Sequence, residues 1–390
     1  MCDEIDDNDC NGDTKELIVP DDFETIQQAL EEYTENDIIC IRGEYTEPGS
    51  LEITSPINIG GFVDEESILY TSGLTMNIIN DEAVDSTLSI SNLTLSGDGA
   101  WIDDYFIFAE GISVDIENST FSDFSISYDS ILSLRNSNIE LRQSNFSGIT
   151  GVGQTLNFQG EYSNTASITD TLLTESEVGF WFEKGDVFIR NFYAHSNIGD
   201  GGPYSKMLKS RASLFSMVSS RFESNRDIDI DIDFAGTDNG IVDFQFTNNV
   251  GFINILSNED VNNPPRMAME HFWIEENTFN DVDGAVSALE FQGVDASNLL
   301  LRNNKLNDSG LTFINSTVSN LSVVDNVTTT SNTRQMLILA GSSASNFIVE
   351  GLSTGPEPNK YGIRVDCNSS LQFGVVYGGK GQSGYDGGGI

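Results

Sequence analysis

Apolar residues along this chain recur at every second position for three to six residues, and polar or glycine-containing turns then interrupt them. That period of two is the mark of short strands half-buried on one face. Leu17-Ile18-Val19 predicts a first strand. After Pro20-Asp21-Asp22, the three-to-four spacing of Phe23, Ile26, Ala29, Leu30 and Tyr33 predicts one amphipathic helix. Asp37 to Ile41, Leu51 to Thr54 and Ile57 to Ile59 then predict strands, with turns at Gly43 and Pro48-Gly49.

A short phrase keeps returning beyond this opening: a polar pair often containing Asn, a small residue, then an apolar one. It stands at Asn92-Leu93-Thr94-Leu95, Asn118-Ser119-Thr120-Phe121, Gln143-Ser144-Asn145-Phe146, Ser220-Arg221-Phe222, Asn277-Thr278-Phe279, Asn303-Asn304-Lys305-Leu306 and Asp325-Asn326-Val327. Copies about 25 residues apart match one coil of a solenoid, and the repeat runs to about residue 352. Stacked coils bring each Asn to a similar turn, where its amide can bond backbone groups and ladder with the next. The pattern predicts an all-β chain, a right-handed parallel β-helix with an N-terminal capping helix. At ~4.8 Å per coil, about a dozen coils make a rod of roughly 60 Å. Residues 1–14 stand apart as an acidic segment, 15–377 as the β-helix and 378–390 as a Gly-rich tail.

The opening resembles that of pectin-lyase-like right-handed β-helix proteins. The likeness rests on Val19-Pro20-Asp21-Asp22-Phe23, Ile26-Gln27-Gln28-Ala29-Leu30, Asp37-Ile38-Ile39, Gly43-Glu44-Tyr45 and Ile57-Asn58-Ile59-Gly60. The resemblance implies that the helix plugs the open end of the solenoid, which would otherwise expose apolar core and unpaired strand backbone.

Composition narrows the function classes. With 38% hydrophobic and 20% charged residues the chain can bury a core. Its 61 acidic against 18 basic residues give a formal net charge of -43. Such a surface repels phosphates, so nucleic acid and bare anionic membrane are poor partners, while high salt or Ca²⁺ suits it. No run approaches the ~20 apolar residues of a membrane span. Met1-Cys2 before an acidic run reads as a mature secreted protein or bacterial lipoprotein at the cell surface, with Cys2 a candidate lipid anchor. Among Cys2, Cys10, Cys40 and Cys367, the first two are close enough to close a small loop; Cys40 and Cys367 fall near opposite ends of the solenoid, so one disulfide at most is expected. The sequons at Asn118, Asn315 and Asn326 read first as turn asparagines.

Two stretches carry candidate chemistry. Cys2 to Asp13 spaces side-chain oxygens at alternate positions before Gly12, which makes Asp7, Asp9 and Asn11 candidate Ca²⁺ ligands. It resembles a Cys- and Asp-rich metal-binding motif of secreted bacterial proteins, with one extra residue between its cysteines. An EF-hand counted from Asp7 would require Glu where Ile18 stands.

The second stretch is basic. Lys184, Arg190, Lys206, Lys209, Arg211, Arg221 and Arg226 are seven of the 18 basic residues, with His195 and Tyr204 beside them. The alternation Asp227-Ile228-Asp229-Ile230-Asp231-Ile232-Asp233 points isoleucines inward and carboxylates outward. Lys209 and Arg211, about one coil earlier, can neutralise those carboxylates as a salt-bridge ladder. The same groups also suit a uronate site, in which Arg211 with Ca²⁺ on Asp229 or Asp231 neutralises the substrate carboxylate. Lys209 or Lys206 then serves as base and Tyr204 or His195 as proton donor, with Lys184, Arg190 and Asp233 in binding roles. Lys209-Ser210-Arg211-Ala212, Asn225-Arg226 and Asp231-Ile232-Asp233 resemble a run in uncharacterised bacterial β-helix proteins, except that Lys206 replaces an expected His. His195 and His271 are too few for zinc, and Tyr193, Tyr204 and Trp181 are candidate sugar-stacking aromatics. Three functions fit: a non-catalytic glycan- or surface-binding protein, a lyase or hydrolase of acidic (uronate) polysaccharide, and a structural rod.

Overall fold

In the computed structural model the chain is all-β, a parallel β-solenoid of the right-handed type. The structure describes residues 15–80, 86–99, 101–161, 163–199, 206–234, 239–257, 266–279, 289–306, 310–328, 337–350, 363–365, 368–372 and 374–376. Cys2, Asp7, Asp9, Cys10, Asn11, Tyr204, Cys367 and the Gly-rich tail lie outside them. The chain divides into two compact units, residues 1–188 with 202–205, and residues 189–201 with 206–390.

The first unit opens with strand Glu16–Val19, paired in parallel with Ile38–Ile41, which pairs in turn with Asn58–Gly61. Between the first two lies helix Ile26–Glu32, shorter than the pattern predicts. Thr25 caps it, accepting from Gln28 N at 3.1 Å, and buried Glu47 accepts from Ile26 N at 2.8 Å. Ile26 and Ala29 face inward at 0% exposure, while Phe23 and Leu30 are only half-buried. Cys40 sits in a small apolar cluster with Ile38, Phe62 and Ile18 and is disulfide-bonded. The three other cysteines lie outside the described residues.

Each coil turns its corners through residues with positive φ. In the first unit, Asn92, Asn118, Gln143 and Asp170 (φ 46 to 53°) bend one sheet between paired short strands such as Ser113–Glu117 and Thr120–Ser122. Asn and Asp tolerate this region because their side chains bond locally, which explains the recurring polar pair. After Asn118, Gln143 and Asp170 the next residue turns inward and is a hydroxyl, whereas after Asn92 it is Leu93: Ser119 donates to Glu117 O at 2.9 Å, Ser144 to Arg142 O at 2.8 Å and Thr171 to Thr169 O at 3.1 Å. Phenylalanines fill the core, Phe121 stacking on Phe146 at 4.9 Å and Phe158 meeting Phe182 at 6.2 Å.

The second unit has serine corners too, as at Ser220 and Ser316, and a further corner built on asparagine. Ser196, Ser224, Asn248, Glu276, Asn303 and Asp325 take φ of 52 to 59°, and each precedes an asparagine that points inward. Asn197, Asn225, Asn249, Asn277, Asn304 and Asn326 thereby form one ladder, every member at most 2% exposed. Each Oδ1 from Asn225 to Asn326 accepts from the backbone N–H and the side-chain amide of the preceding member, at 2.8 to 3.2 Å. Its own amide then donates to a backbone carbonyl of an earlier coil, as Asn277 does to Phe246 O at 2.8 Å. Buried Asn326 is thus a ladder rung, in line with the turn reading of its sequon.

Candidate functional site

Two surfaces gather polar groups that packing does not require. One is the outward face of one parallel sheet of the second unit, built by Lys206–Arg211, Ile228–Phe234, Val250–Ser257, Leu289–Gln292 and Leu311–Ile314. Inward, Leu208, Ile230, Ile253, Leu289 and Leu311 form a core column, each at most 1% exposed. Outward, the next column runs Lys209, Asp231, Asn254, Glu290, Thr312. Lys206 is in register with Asp229, and an irregularity between Lys206 and Leu208 sets Lys209 opposite Asp231. Arg211 Nε lies 3.2 Å from Asp233 Oδ2, with the aspartate the more buried partner. This is the arrangement of a salt-bridge ladder. Among the described residues no group of three or more His, Cys, Asp or Glu is placed to hold a metal ion.

The other proposed residues are dispersed. His195 belongs to the bent sheet, in strand Tyr193–His195, with Nδ1 2.8 Å from Ser196 Oγ. The structure therefore places His195 on a different sheet from Lys206, Lys209 and Arg211. Tyr193 donates to Glu223 at 2.8 Å and carries Arg221 over its ring, so it is not a free stacking face. Arg190 is exposed at the end of Asp186–Arg190. Lys184, in the first unit, turns a corner at φ 60° beside Glu183 and Glu161 in a shallow depression.

Glu290, which sequence reasoning missed, is chemically distinct. It is half-buried, it makes no hydrogen bond or ion pair with another described residue, and burial pushes its carboxyl above the ordinary range. Phe252 and Thr312, on the same face, are 6% and 4% exposed.

The second surface is a cleft of about 390 Å³ in the first unit, between the turn at Thr71–Thr75 and the segment Trp101–Phe106. Gly73 shapes its floor: φ is 80° there, and a Cβ would sit 2.7 Å from the Gly49 carbonyl oxygen. Trp101 stands at its edge, 71% exposed, on a two-residue strand paired with Ser125–Ile126. Beside it, exposed Ser50, Ser72 and Thr75 offer hydroxyls, and exposed Glu52, Asp103 and Asp104 offer carboxylates. Burial pushes the Tyr105 phenol up, and the charges of Asp104, Glu52 and Asp129 push it the same way. Tyr128, 82% exposed, follows the neighbouring strand Ser125–Ile126. A flat aromatic face beside a set of donors and acceptors can take a sugar ring by its apolar face and its hydroxyls together. The residues were legible only as the break in alternation at Trp101-Ile102-Asp103-Asp104-Tyr105.

No family model matches the sequence, and no curated protein matches it. Among solved structures, the chain is similar to tailspike protein 3 of bacteriophage CBA120, at 11% identity and a TM-score of 0.39, covering 88% of this chain and 57% of that one. The chain thus spans little more than half of that tailspike. It is also similar to the catalytic unit of a GH87 α-1,3-glucanase from Streptomyces thermodiastaticus (12% identity, TM-score 0.33, covering 93% and 68%). A third is the receptor-binding tailspike of bacteriophage Det7 (11% identity, TM-score 0.33, covering 92% and 73%).

Proposed function

We propose that this protein is a glycan-binding protein working outside the cytoplasm, and that the cleft beside Trp101 is its binding site. One observation carries the reading: a tryptophan 71% exposed, on a fold that buries most of its aromatics, at the edge of a cleft lined by exposed hydroxyls and carboxylates. The Cys40 disulfide supports an oxidising compartment, since such bonds are rare in the cytosol of mesophiles. Among the described residues no helix is long and apolar enough to cross a membrane. Anchoring through a lipidated Cys2, and Ca²⁺ held by Asp7, Asp9 and Asn11, complete the proposal for an extracellular or cell-surface protein. Helix Ile26–Glu32 covers the first coil in this reading, in keeping with the likeness of the opening residues to pectin-lyase-like chains. Affinity electrophoresis of wild type and Trp101→Ala through gels holding different polysaccharides tests the site. Retardation by at least one glycan, lost in the variant, is expected; equal mobility of the two proteins in every gel rejects it.

A second reading, polysaccharide hydrolysis, is favoured by Glu290. A half-buried carboxyl whose proton burial holds more tightly than usual suits a general acid, and Asp231 stands two coils away in the same outward column. At ~4.8 Å per coil their Cα atoms are about 10 Å apart, near the spacing with which inverting glycosidases admit a water. Water attacks the anomeric carbon and gives its proton to Asp231, while Glu290 protonates the departing oxygen. Release of reducing ends that disappears in both Glu290→Gln and Asp231→Asn would establish this activity, and release unaffected by either would remove these residues from it.

A further inference from the structure

The charges around the Trp101 cleft bear on which glycan it takes. Glu52, Asp103 and Asp104 line it, Asp129 acts electrostatically on Tyr105 at its edge, and among the described lining residues there is no Lys or Arg. The partners these carboxylates have are neutral donors: Glu52 accepts from Asn77 Nδ2 at 3.0 Å, Asp103 from Ser127 Oγ at 3.4 Å, and Asp129 from Ser130 Oγ at 3.1 Å and Asn157 Nδ2 at 3.2 Å. Neutral donors orient a carboxylate without cancelling its charge. Elsewhere the chain does cancel such charges: Arg142 meets Asp115, Glu117 and Glu140, and Arg42 meets Asp21. The cleft therefore joins an exposed π face, which attracts cations, to a concentration of negative charge. A uronate would meet repulsion here, and a neutral sugar would leave the carboxylates uncompensated.

We propose that the cleft selects glycans bearing free amino groups, the ring of an amino sugar lying on Trp101 and its ammonium held by Asp103, Asp104 and Glu52. This rests on reading the cleft as a glycan site. It replaces the acidic polysaccharide expected from the basic stretch with a cationic one, because the basic stretch faces its own aspartates while the cleft carboxylates face solvent.

The test is calorimetric titration of the full chain with oligomers of deacetylated glucosamine, with their N-acetylated counterparts, with a neutral glucan oligomer, with oligogalacturonate, and with polylysine. The deacetylated oligomer should bind about tenfold more tightly than the acetylated one, the worth of two or three partly exposed ion pairs. That preference should shrink in high salt and vanish in Asp103→Asn with Asp104→Asn, whereas Trp101→Ala should weaken both oligomers. The double variant moves the net charge only from -43 to -41, so general attraction of polycations to this acidic protein is nearly unchanged and serves as its own control. If acetylated or neutral oligomers bind as well as the deacetylated one through Trp101, the amino-sugar inference fails and the glycan reading stands. If no glycan binds, both fail. Polylysine binding as tightly as the amino glycan, with no effect of Trp101→Ala, would reduce the cleft to a patch of charge and overturn the inference.

Discussion

Replacing Asn277 by Ala removes the middle of the buried asparagine ladder. Its Oδ1 accepts from Asn249 N at 2.8 Å and Asn249 Nδ2 at 3.2 Å, and its Nδ2 donates to Phe246 O at 2.8 Å and Asn304 Oδ1 at 3.0 Å. All four bonds go, while the backbone bond from Asn277 N to Asn304 Oδ1 can persist. At about 1 kcal/mol net for each, with a further penalty for leaving Asn249 N unsatisfied, the loss comes to about 4–5 kcal/mol. The first unit supplies the comparison. Ser144 makes only two such bonds, accepting from Ser119 N at a long 3.4 Å and donating to Arg142 O, so Ser144→Ala should cost about 1 kcal/mol. A solenoid of two units need not unfold in one step, so the local readout is amide exchange at Asn249, read beside denaturant melting. Exchange there should accelerate by about three orders of magnitude or slightly more in Asn277→Ala, which is what that loss implies at about 1.4 kcal/mol per decade. Were Asn277→Ala no more damaging than Ser144→Ala, the asparagines would not act as a connected ladder.

Ile26→Asp would bury an unpaired charge at a 0% exposed position and should lower stability by about 3 kcal/mol or more; an unchanged melting temperature would show that the helix covers nothing. Arg211→Ala removes a pair with a half-exposed arginine, so it should cost about 0.5 kcal/mol at low salt and nothing in high salt; a loss that salt does not touch would mean packing, not charge. Glu290 has a raised carboxyl, so the native state holds its proton more tightly than the unfolded chain does. Its contribution to stability falls as pH rises from the ordinary glutamate range through the raised value, and the penalty is fully present above that. Glu290→Gln should accordingly melt later than wild type at neutral pH and together with it in acid, and a difference independent of pH would contradict the burial argument. Calorimetry with and without residues 1–14 should show a weak Ca²⁺ heat, with affinity of about 10⁻⁴ to 10⁻³ M, that belongs to the longer protein alone.

The fold is legible because each coil repeats its own reasons. A period of two sets which side chains enter the core, and the isoleucines of Asp227 to Asp233 enter it as the alternation requires, with the intervening aspartates outward. The residue type at each corner is legible for the same reason, since Asn118, Gln143 and Asn303 occupy positive φ, where their local bonding is an advantage. What periodicity cannot supply is the register between coils when loops of unequal length intervene. The ladder members Asn197, Asn225, Asn249, Asn277, Asn304 and Asn326 are spaced by 28, 24, 28, 27 and 22 residues, yet they stack directly. Loops absorb the variation, so a strict repeat search blurs the rung that packing keeps sharp. The spacing marks the helix but not which of its apolar residues go deepest: Glu47, fifteen residues after its end, accepts from its first amides, and Ile26 and Ala29 are fully buried while Leu30 is only half-buried.

Clustering of basic residues in sequence made residues 184–226 look like a site, and a solenoid is where that inference is weakest. Adjacent strands face each other across ~4.8 Å, so a charge in one coil meets whatever the next coil holds at the same register. Lys209 opposite Asp231 and Arg211 beside Asp233 are what such stacking makes of a basic strand followed by an acidic one. The cleft near Trp101 follows the opposite logic. Its residues come from the coil edges at Ser50–Glu52, Thr71–Thr75 and Trp101–Phe106, and no cation faces its carboxylates among the described lining. A stacked charge with a partner is a structural element, whereas a stacked charge without one is a demand on something outside the chain. In a protein with 61 acidic and 18 basic residues most carboxylates must lack a cation, so their number alone says little. Trp101 supplies what the count cannot, because hydration favours an exposed carboxylate but not an exposed indole, and the two together are best explained by a ligand that has both a ring and a charge.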